Sequence, residues 1–356
     1  MLLSASMLLA GACTRPGSET APQRFGARLS GPNVQVLDRR LLLTLPPGEV
    51  APTTISSYVS DLGVKVSVIP GELNTLTDVG RADVTLIDDV TLAQLISAKL
   101  VEPIDRNLVA NRKLLLPPFD SPSYDKGGRH SVPKDYVAAG FAVSTFDVTD
   151  PPSTWLQFFD LAAALPGRVA VPPDPDVVIG AALTAAGHDW NSSSSSDIAD
   201  AADILLPLRQ DLVIAGSMLR TRLAAPIVAA LCYGQGFTTP PPGVRFVVPA
   251  EGTLARARCY CIPLYAPHPV SAHAWLNHTL DPTVAAAETR YTRRATPVGP
   301  AAYQLPVSLL ANDAVFPPAL PPTPLTFANV STSGAEQRAD LWRELIATRR
   351  RRLGPR

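Results

Sequence analysis

The chain has 356 residues, with 31 Lys and Arg against 31 Asp and Glu, 46% hydrophobic residues and 37 prolines. At roughly 100–200 residues per domain, this length excludes a single small module and fits two or three domains or one fold made of two lobes, with a real core. Zero net charge excludes a global field for steering onto nucleic acid. The apolar fraction excludes a wholly disordered chain, and beyond the first dozen residues no apolar run reaches the roughly 18 needed to cross a bilayer.

Met1–Ala12 reads MLLSASMLLAGA and Cys13 follows directly. An apolar stretch ending in small residues before a cysteine is similar to a bacterial lipoprotein signal, with residues 1–12 removed and the Cys13 thiol carrying lipid. Residues 13–32 are polar and rich in Gly, Ser and Pro, the composition of a flexible tether. Strands are expected at Asn33–Leu45, Gly63–Val68 and Ala82–Ile87, followed by a helix over Thr91–Lys99 with Leu92, Leu95 and Ile96 on one face. This strand–helix–strand rhythm predicts an α/β fold with a largely parallel, doubly wound sheet.

Further along, His130–Val132 and Gly140–Val143 read as two strands around a bend, and Ser153–Leu165 as a helix with Ser153 at its N-cap and Pro166-Gly167 as its stop. A short buried strand at Arg168–Val171 leads into the acidic, proline-rich Pro172–Asp176 and a helix over Val177–Ala186, with Gly187 placed to end it. A serine-rich loop at Asn191–Ser196 precedes a helix over Asp197–Leu206. Strands follow at Val244–Val248 and Cys259–Ile262, helices at Ser271–Leu280 and Pro282–Arg290, and a terminal amphipathic helix over Gly334–Arg352.

Chemistry-bearing motifs are scarce. Cys232, Cys259 and Cys261 form no Cys-x-x-Cys pair, and residues two apart in a strand share a face, which suits neither zinc nor a mutual disulfide. A bridge from Cys232 to one of the other two, or three buried free thiols, both fit. His268, His273 and His278 are spaced by five, roughly 140° around a helix, so no metal site is expected. Gly234-Gln235-Gly236 is too short for a dinucleotide fingerprint, and no phosphate loop or nucleophile–base set can be placed. The residues give no cofactor and no enzyme.

Several stretches, taken in order, resemble the polyamine (spermidine/putrescine) type of periplasmic solute-binding protein. Residues 82–105, ADVTLIDDVTLAQLISAKLVEPID, resemble the family's strand that ends at the cleft and leads to "G-x-I-x-P-I-D". HSVPKDYVAAG at His130–Gly140 resembles its "Y-S-V-P-Y-x-W-G-T-x-G" crossover, and STWLQFF at Ser153–Phe159 its "S-W-x-D-L-F". Arg168–Asn191 is similar to the strand, acidic loop and helix that follow. FVVPAEGTLARARCYCIP at Phe246–Pro263 is similar to "y-v-v-P-x-E-G-x-x-x-w-x-D-x-x-x-I-P", and Ala272–Pro297 to the helices before "Y-x-T-P-N".

The resemblance implies a type II periplasmic-binding fold, two α/β lobes with ligand in the cleft between them and closure by hinge motion. Its lobes would be 33–135 plus 250–298 and 136–249 plus 299–356. It also implies a non-enzymatic receptor at the outer face of the cell membrane or in the periplasm, handing a small solute to the permease and ATPase of an ABC importer, with no nucleic-acid partner. The other reading is a scaffold or adhesin-like lipoprotein on a degenerate binding fold.

Carried over residue by residue, the family's first amine-binding carboxylate falls on Asp174, with Asp176 beside its second. Asp88 and Asp89 stand where the family has hydroxyls and aromatics, Tyr136 stands near its crossover Trp, and Tyr233 is a further aromatic candidate. The facing wall differs, because the family's Trp and Asp fall on Arg256 and Arg258 and its late Tyr on Arg294. Guanidinium groups suit carboxylate or phosphonate and repel a bare polyamine unless paired internally with Asp88, Asp89, Asp174 or Asp176. The expected ligand is therefore polyamine-like by descent and zwitterionic or anionic by charge.

Overall fold

The computed structural model describes residues 37–71, 82–215, 223, 225–318 and 324–350. The signal-like segment, Cys13 and the tether lie outside them. The first strand, β1 (Arg40–Leu45), hydrogen-bonds in parallel to β2 (Lys65–Pro70) and to β3 (Val84–Asp88). Between β1 and β2 lies a helix that the sequence reading does not anticipate, α1 (Pro52–Leu62), since Thr, Ser and Val are indifferent helix formers. Pro52 starts it, Gly63 ends it in the left-handed conformation at φ 66°, and buried Thr54 and Tyr58 hold it to the core.

The segment expected as two strands around a bend is one strand, β4 (Ser131–Ser144), fourteen residues long and buried throughout. Its first part pairs antiparallel with β9 (Thr253–Cys261), and its second part pairs with β7 (Ala229–Tyr233) and β8 (Val244–Val247). Beyond β7 run β5 (Val169–Val171) and β6 (Leu212–Ile214), both parallel. The sheet reads β2-β1-β3-β9-β4-β7-β5-β6, with β10 (Leu325–Phe327) added to β9. Each end is parallel and wound, and the antiparallel pair β4 and β9 joins them.

The helices follow from local chemistry. Asp88 caps α2 (Asp89–Ser97), and Asp174 caps α4 (Pro175–Ala185) by accepting from the amides of Asp176 and Val177. The cap of α3 (Trp155–Ala164) is Thr154 rather than Ser153. The Thr154 hydroxyl accepts from the Gln157 amide at 3.1 Å while the Gln157 side chain reaches back to the Ser153 amide. Ser194 caps α5 (Ser195–Leu205). Then come α6 (Pro269–Thr279), α7 (Pro282–Thr292), the single turn α8 (Val307–Leu310) and α9 (Thr332–Arg350). No helix among the described residues is long and apolar enough to cross a membrane.

Two large cores flank the joining strands. Leu41, Leu43, Tyr58, Leu86, Tyr260 and Trp275 belong to one; Phe141, Trp155, Phe158, Val177, Leu205 and Leu345 belong to the other. Residues 301–315 return to the first core through Ala301, Leu305, Leu309 and Val315, while α9 lies on the second.

Candidate functional site

Strand β9 runs from one core to the other, and its period-two alternation sets the site. On one face Ala255, Ala257, Cys259 and Cys261 pack against Phe119, Tyr124 and Phe327. On the opposite face Leu254 joins the second core and Tyr260 the first, with Arg256 and Arg258 in the interval between them. Two guanidinium groups therefore occupy the seam where neither core reaches.

What faces Arg258 is decided by a β-bulge. Up to Pro133 the residues of β4 stand opposite β9 in simple register, Val132 to Tyr260 and Pro133 to Cys259, which would place Lys134 against Arg258. The register shifts between Pro133 and Asp135, and Asp135 takes that place instead. One inserted residue thus exchanges like charge for opposite charge. The Asp135 carboxylate accepts from Arg258 Nε at 3.0 Å and Nη2 at 2.7 Å, a two-point pair, and from Lys134 Nζ at 2.6 Å.

The chain of charges extends in both directions. Lys134 also meets Glu288 on α7 at 3.0 Å, and Glu288 accepts from the Ala51 amide and the Thr54 hydroxyl at the start of α1. On the other side Arg258 Nη1 donates to Glu49, in the loop between β1 and α1. Arg294 stands 3.8 Å from Asp135 and 4.0 Å from Glu49, and its Nη2 donates to Gln235 Oε1 at 2.7 Å. Three cations, Lys134, Arg258 and Arg294, are thereby balanced by three carboxylates, Asp135, Glu49 and Glu288. Burial opposes ionisation of Asp135, but Lys134, Arg258 and Arg294 outweigh it and hold the carboxyl well below its ordinary range.

Arg256 lies in a different setting. Its Nε donates to the Tyr233 hydroxyl at 3.2 Å, and its Nη1 is buried without a partner. Burial disfavours its charge, yet Tyr233, Asp89 and Asp174 together keep it firmly protonated. Asp89, at the first position of α2, is 1% exposed, and neither carboxylate oxygen has a partner in hydrogen-bonding geometry. Burial pushes its carboxyl up to about 7, partly offset by Arg256. Asp174 is likewise raised by burial, partly offset by Arg256. The Tyr233 hydroxyl is pushed up to about 12, again by burial.

The structure thus groups Asp89, Asp174, Tyr233 and Arg256, and groups Arg258 with Arg294. Their partners are Asp135 and Glu49, not Asp88, Asp89, Asp174 or Asp176 as the sequence reading weighed. Asp88 is exposed and holds the amide and hydroxyl of Thr91. Asp176 turns toward Arg338 of α9 at 3.8 Å. Tyr136 is not brought to the arginines, because it pairs with Ala257 on the far face and packs on Phe119 at 4.5 Å between ring centres. Glu49, Lys134, Asp135 and Gln235 were missed. For the middle two a signal existed, since a proline inside a strand marks a bulge that reassigns every later residue.

Among the described residues no group of His, Cys, Asp and Glu could hold a metal. His268 pairs with Asp83 at 3.0 Å, His273 accepts from the Asp105 amide at 3.0 Å, and His278 meets Ser57 at 3.0 Å. Cys232, Cys259 and Cys261 are free thiols.

The model of the family described as bacterial extracellular solute-binding protein matches residues 81–329. The chain belongs to that family. No curated protein sequence matches this solute-binding protein. Among solved structures it resembles the spermidine/putrescine ABC transporter substrate-binding protein PotD from Streptococcus pneumoniae, at 18% identity and a TM-score of 0.80, covering 88% of this chain and 100% of that one. It also resembles the TpPotD lipoprotein of Treponema pallidum, at 21% identity and a TM-score of 0.69, covering 86% and 99%. A binding protein from A. tumefaciens R10 solved with agropinic acid matches at 16% identity and a TM-score of 0.56, covering 89% and 99%.

The fold is accordingly that of periplasmic binding proteins, two α/β halves joined by crossing strands. A protein of this family works outside the cytoplasm, takes a small solute to an ABC permease and carries out no reaction of its own.

Proposed function

We propose that this protein is a lipid-anchored receptor of an ABC importer whose cleft takes a small solute bearing both an ammonium group and an acid group. The observation that supports the ligand class is a pair of unmet needs side by side. Asp89 offers two buried carboxylate oxygens without a donor, and Arg256 offers a buried Nη1 without an acceptor. A buried polar group left unpaired costs about 1–3 kcal/mol, so a molecule that meets both is favoured over one that meets a single sign. Asp174 and Tyr233 flank the ammonium and acid ends. A bare polyamine meets Asp89 and Asp174 but sets an ammonium group against Arg256, whose Nη1 is buried without a partner, and such a like-charge contact costs several kcal/mol when desolvated.

Proteins of similar fold are consistent with either ligand charge, since one is a spermidine/putrescine substrate-binding protein and another was solved with agropinic acid. Calorimetry against spermidine, putrescine, ω-amino acids and amino-phosphonates tests the reading. Zwitterions are expected to bind at least tenfold more tightly than spermidine. Tighter spermidine binding sinks the charge argument, and no binding across the panel supports the scaffold reading instead. For the anchor, Cys13→Ser is expected to move the protein from the membrane to the soluble fraction without loss of folding. An unchanged distribution removes the lipoprotein assignment.

A further inference from the structure

We propose that Glu49 is a built-in competitor for acid groups in this cleft, a specificity-determining residue whose carboxylate occupies the place between Arg258 and Arg294 that an incoming anion must take. The inference rests on the reading of this cleft as the solute site, and concerns which charges are admitted there.

Three observations carry it. The first is commitment. Arg258 gives Nε and Nη2 to Asp135, and only Nη1 goes to Glu49, so Glu49 can leave without breaking the two-point pair. Arg294 is held by Gln235 at 2.7 Å but only loosely by carboxylates, with its Nε unpartnered and both Asp135 and Glu49 near the limit of ion-pair distance. The second is position. The Asp135 side chain is 3% exposed and the two arginines 12%, whereas Glu49 is 27% exposed. The arginines thus lie between an inner carboxylate fixed on β4 and an outer one carried by the turn at 46–49, where the Glu49 amide bonds back to the Pro46 carbonyl at 3.3 Å. The third is charge. With Glu49 in place the six-charge cluster is neutral, and with Glu49 displaced it holds one excess positive charge.

Together these describe an exchange in which one carboxylate leaves and another anion enters. An acid group that can bridge both guanidinium forks offers Arg258 and Arg294 more than Glu49 does and displaces it. A solute with no acid group leaves Glu49 seated. Glu49 thereby lowers the affinity of every anion that must displace it and leaves a solute without an acid group untouched.

The test uses inorganic sulfate and needs neither the importer nor the natural solute. Glu49→Gln, which keeps the shape and removes the charge, is expected to bind sulfate at least tenfold more tightly than the wild type by calorimetry. It should also speed modification of Arg294 by phenylglyoxal, mapped by mass spectrometry, while Glu49→Asp stays near the wild-type rate. Unchanged modification, or no sulfate binding to Glu49→Gln, overturns the proposal. Should that variant fail to fold, the wild type decides. Carbodiimide labelling of Glu49 is expected to rise with added sulfate, and labelling that stays flat overturns the inference. A solute panel without binders, beside a positive sulfate result, would remove the receptor reading while the exchange of Glu49 for an anion at Arg258 and Arg294 still held.

Discussion

Asp135 and Asp89 are both buried carboxylates, and their neighbours drive them in opposite directions. Asp135 is surrounded by Lys134, Arg258 and Arg294, so its carboxyl titrates lower in the folded chain than in the unfolded one. Its contribution to stability is fully present above the unfolded value near ~4 and is lost as pH falls toward the folded value. Asp135→Asn leaves Lys134 and Arg258 under-compensated, a loss of about 3–5 kcal/mol for a broken buried pair. Urea unfolding at neutral pH measures it, and the variant is also expected to lose part of the wild-type fall in stability below pH ~4.

For Asp89 the sign reverses. Its folded value is about 7, so between roughly pH 4 and that value the folded chain holds a proton that the unfolded chain has released, and stability falls as pH rises. Asp89→Asn is expected to flatten that slope. An ammonium group seated against Asp89 favours the carboxylate and expels its proton. Calorimetry of an ω-amino acid near neutral pH, in buffers of different ionisation enthalpy, should therefore show net proton release in the wild type and none in Asp89→Asn.

Among the elements, α4 bears directly on the site because its cap is Asp174. Its mid-helix Gly180 would gain about 1 kcal/mol in helix propensity as Ala, yet a methyl there overlaps the indole of Trp190, which packs edge-on to Trp155 at 5.8 Å. Overpacking wins, and Gly180→Ala is expected to lose about 1–3 kcal/mol in thermal unfolding.

This element was legible in the sequence, as was its cap, because Asp-Pro-Asp before an apolar run is a local signal. So was the common wall of Arg256 and Arg258, which the family resemblance supplies although the strand read from the residues begins only at Cys259 and β9 begins at Thr253. Their partners were not. Glu49 lies more than two hundred residues from Arg258 in the chain, and Pro133 marks the bulge that places Asp135 only once Ser131–Ser144 is known to be one strand. Strand β7, AALCY, escaped because its small residues form no strong β pattern, and its burial comes from the neighbours β4 and β5.

In the whole molecule, Arg294 after α7 reaches Gln235 after β7, so the hydrogen bond between them ties the first half of the sheet to the second. Solute between the halves adds further ties, and small-angle scattering is expected to show a smaller radius of gyration on binding. An unchanged radius with a tightly bound solute counts against closure.

The placement of β9 has a consequence for how the chain acquires its structure. Strand β3 has β9 as its neighbour on one side, and the core around β1 also needs Tyr260, Trp275 and Leu305. A chain made from its N-terminus thus produces β1 to β3 some 165 residues before the strand that covers their open edge. Contacts so distant in sequence slow folding, and an uncovered strand edge invites pairing with other chains. The second half encloses most of its core between residues 139 and 254 and can assemble earlier. A chain ending at Ala250 is therefore expected to aggregate through its β1–β3 edge while its later segment acquires protease resistance, which limited proteolysis of nascent chains of graded length would reveal as a C-terminal block protected first.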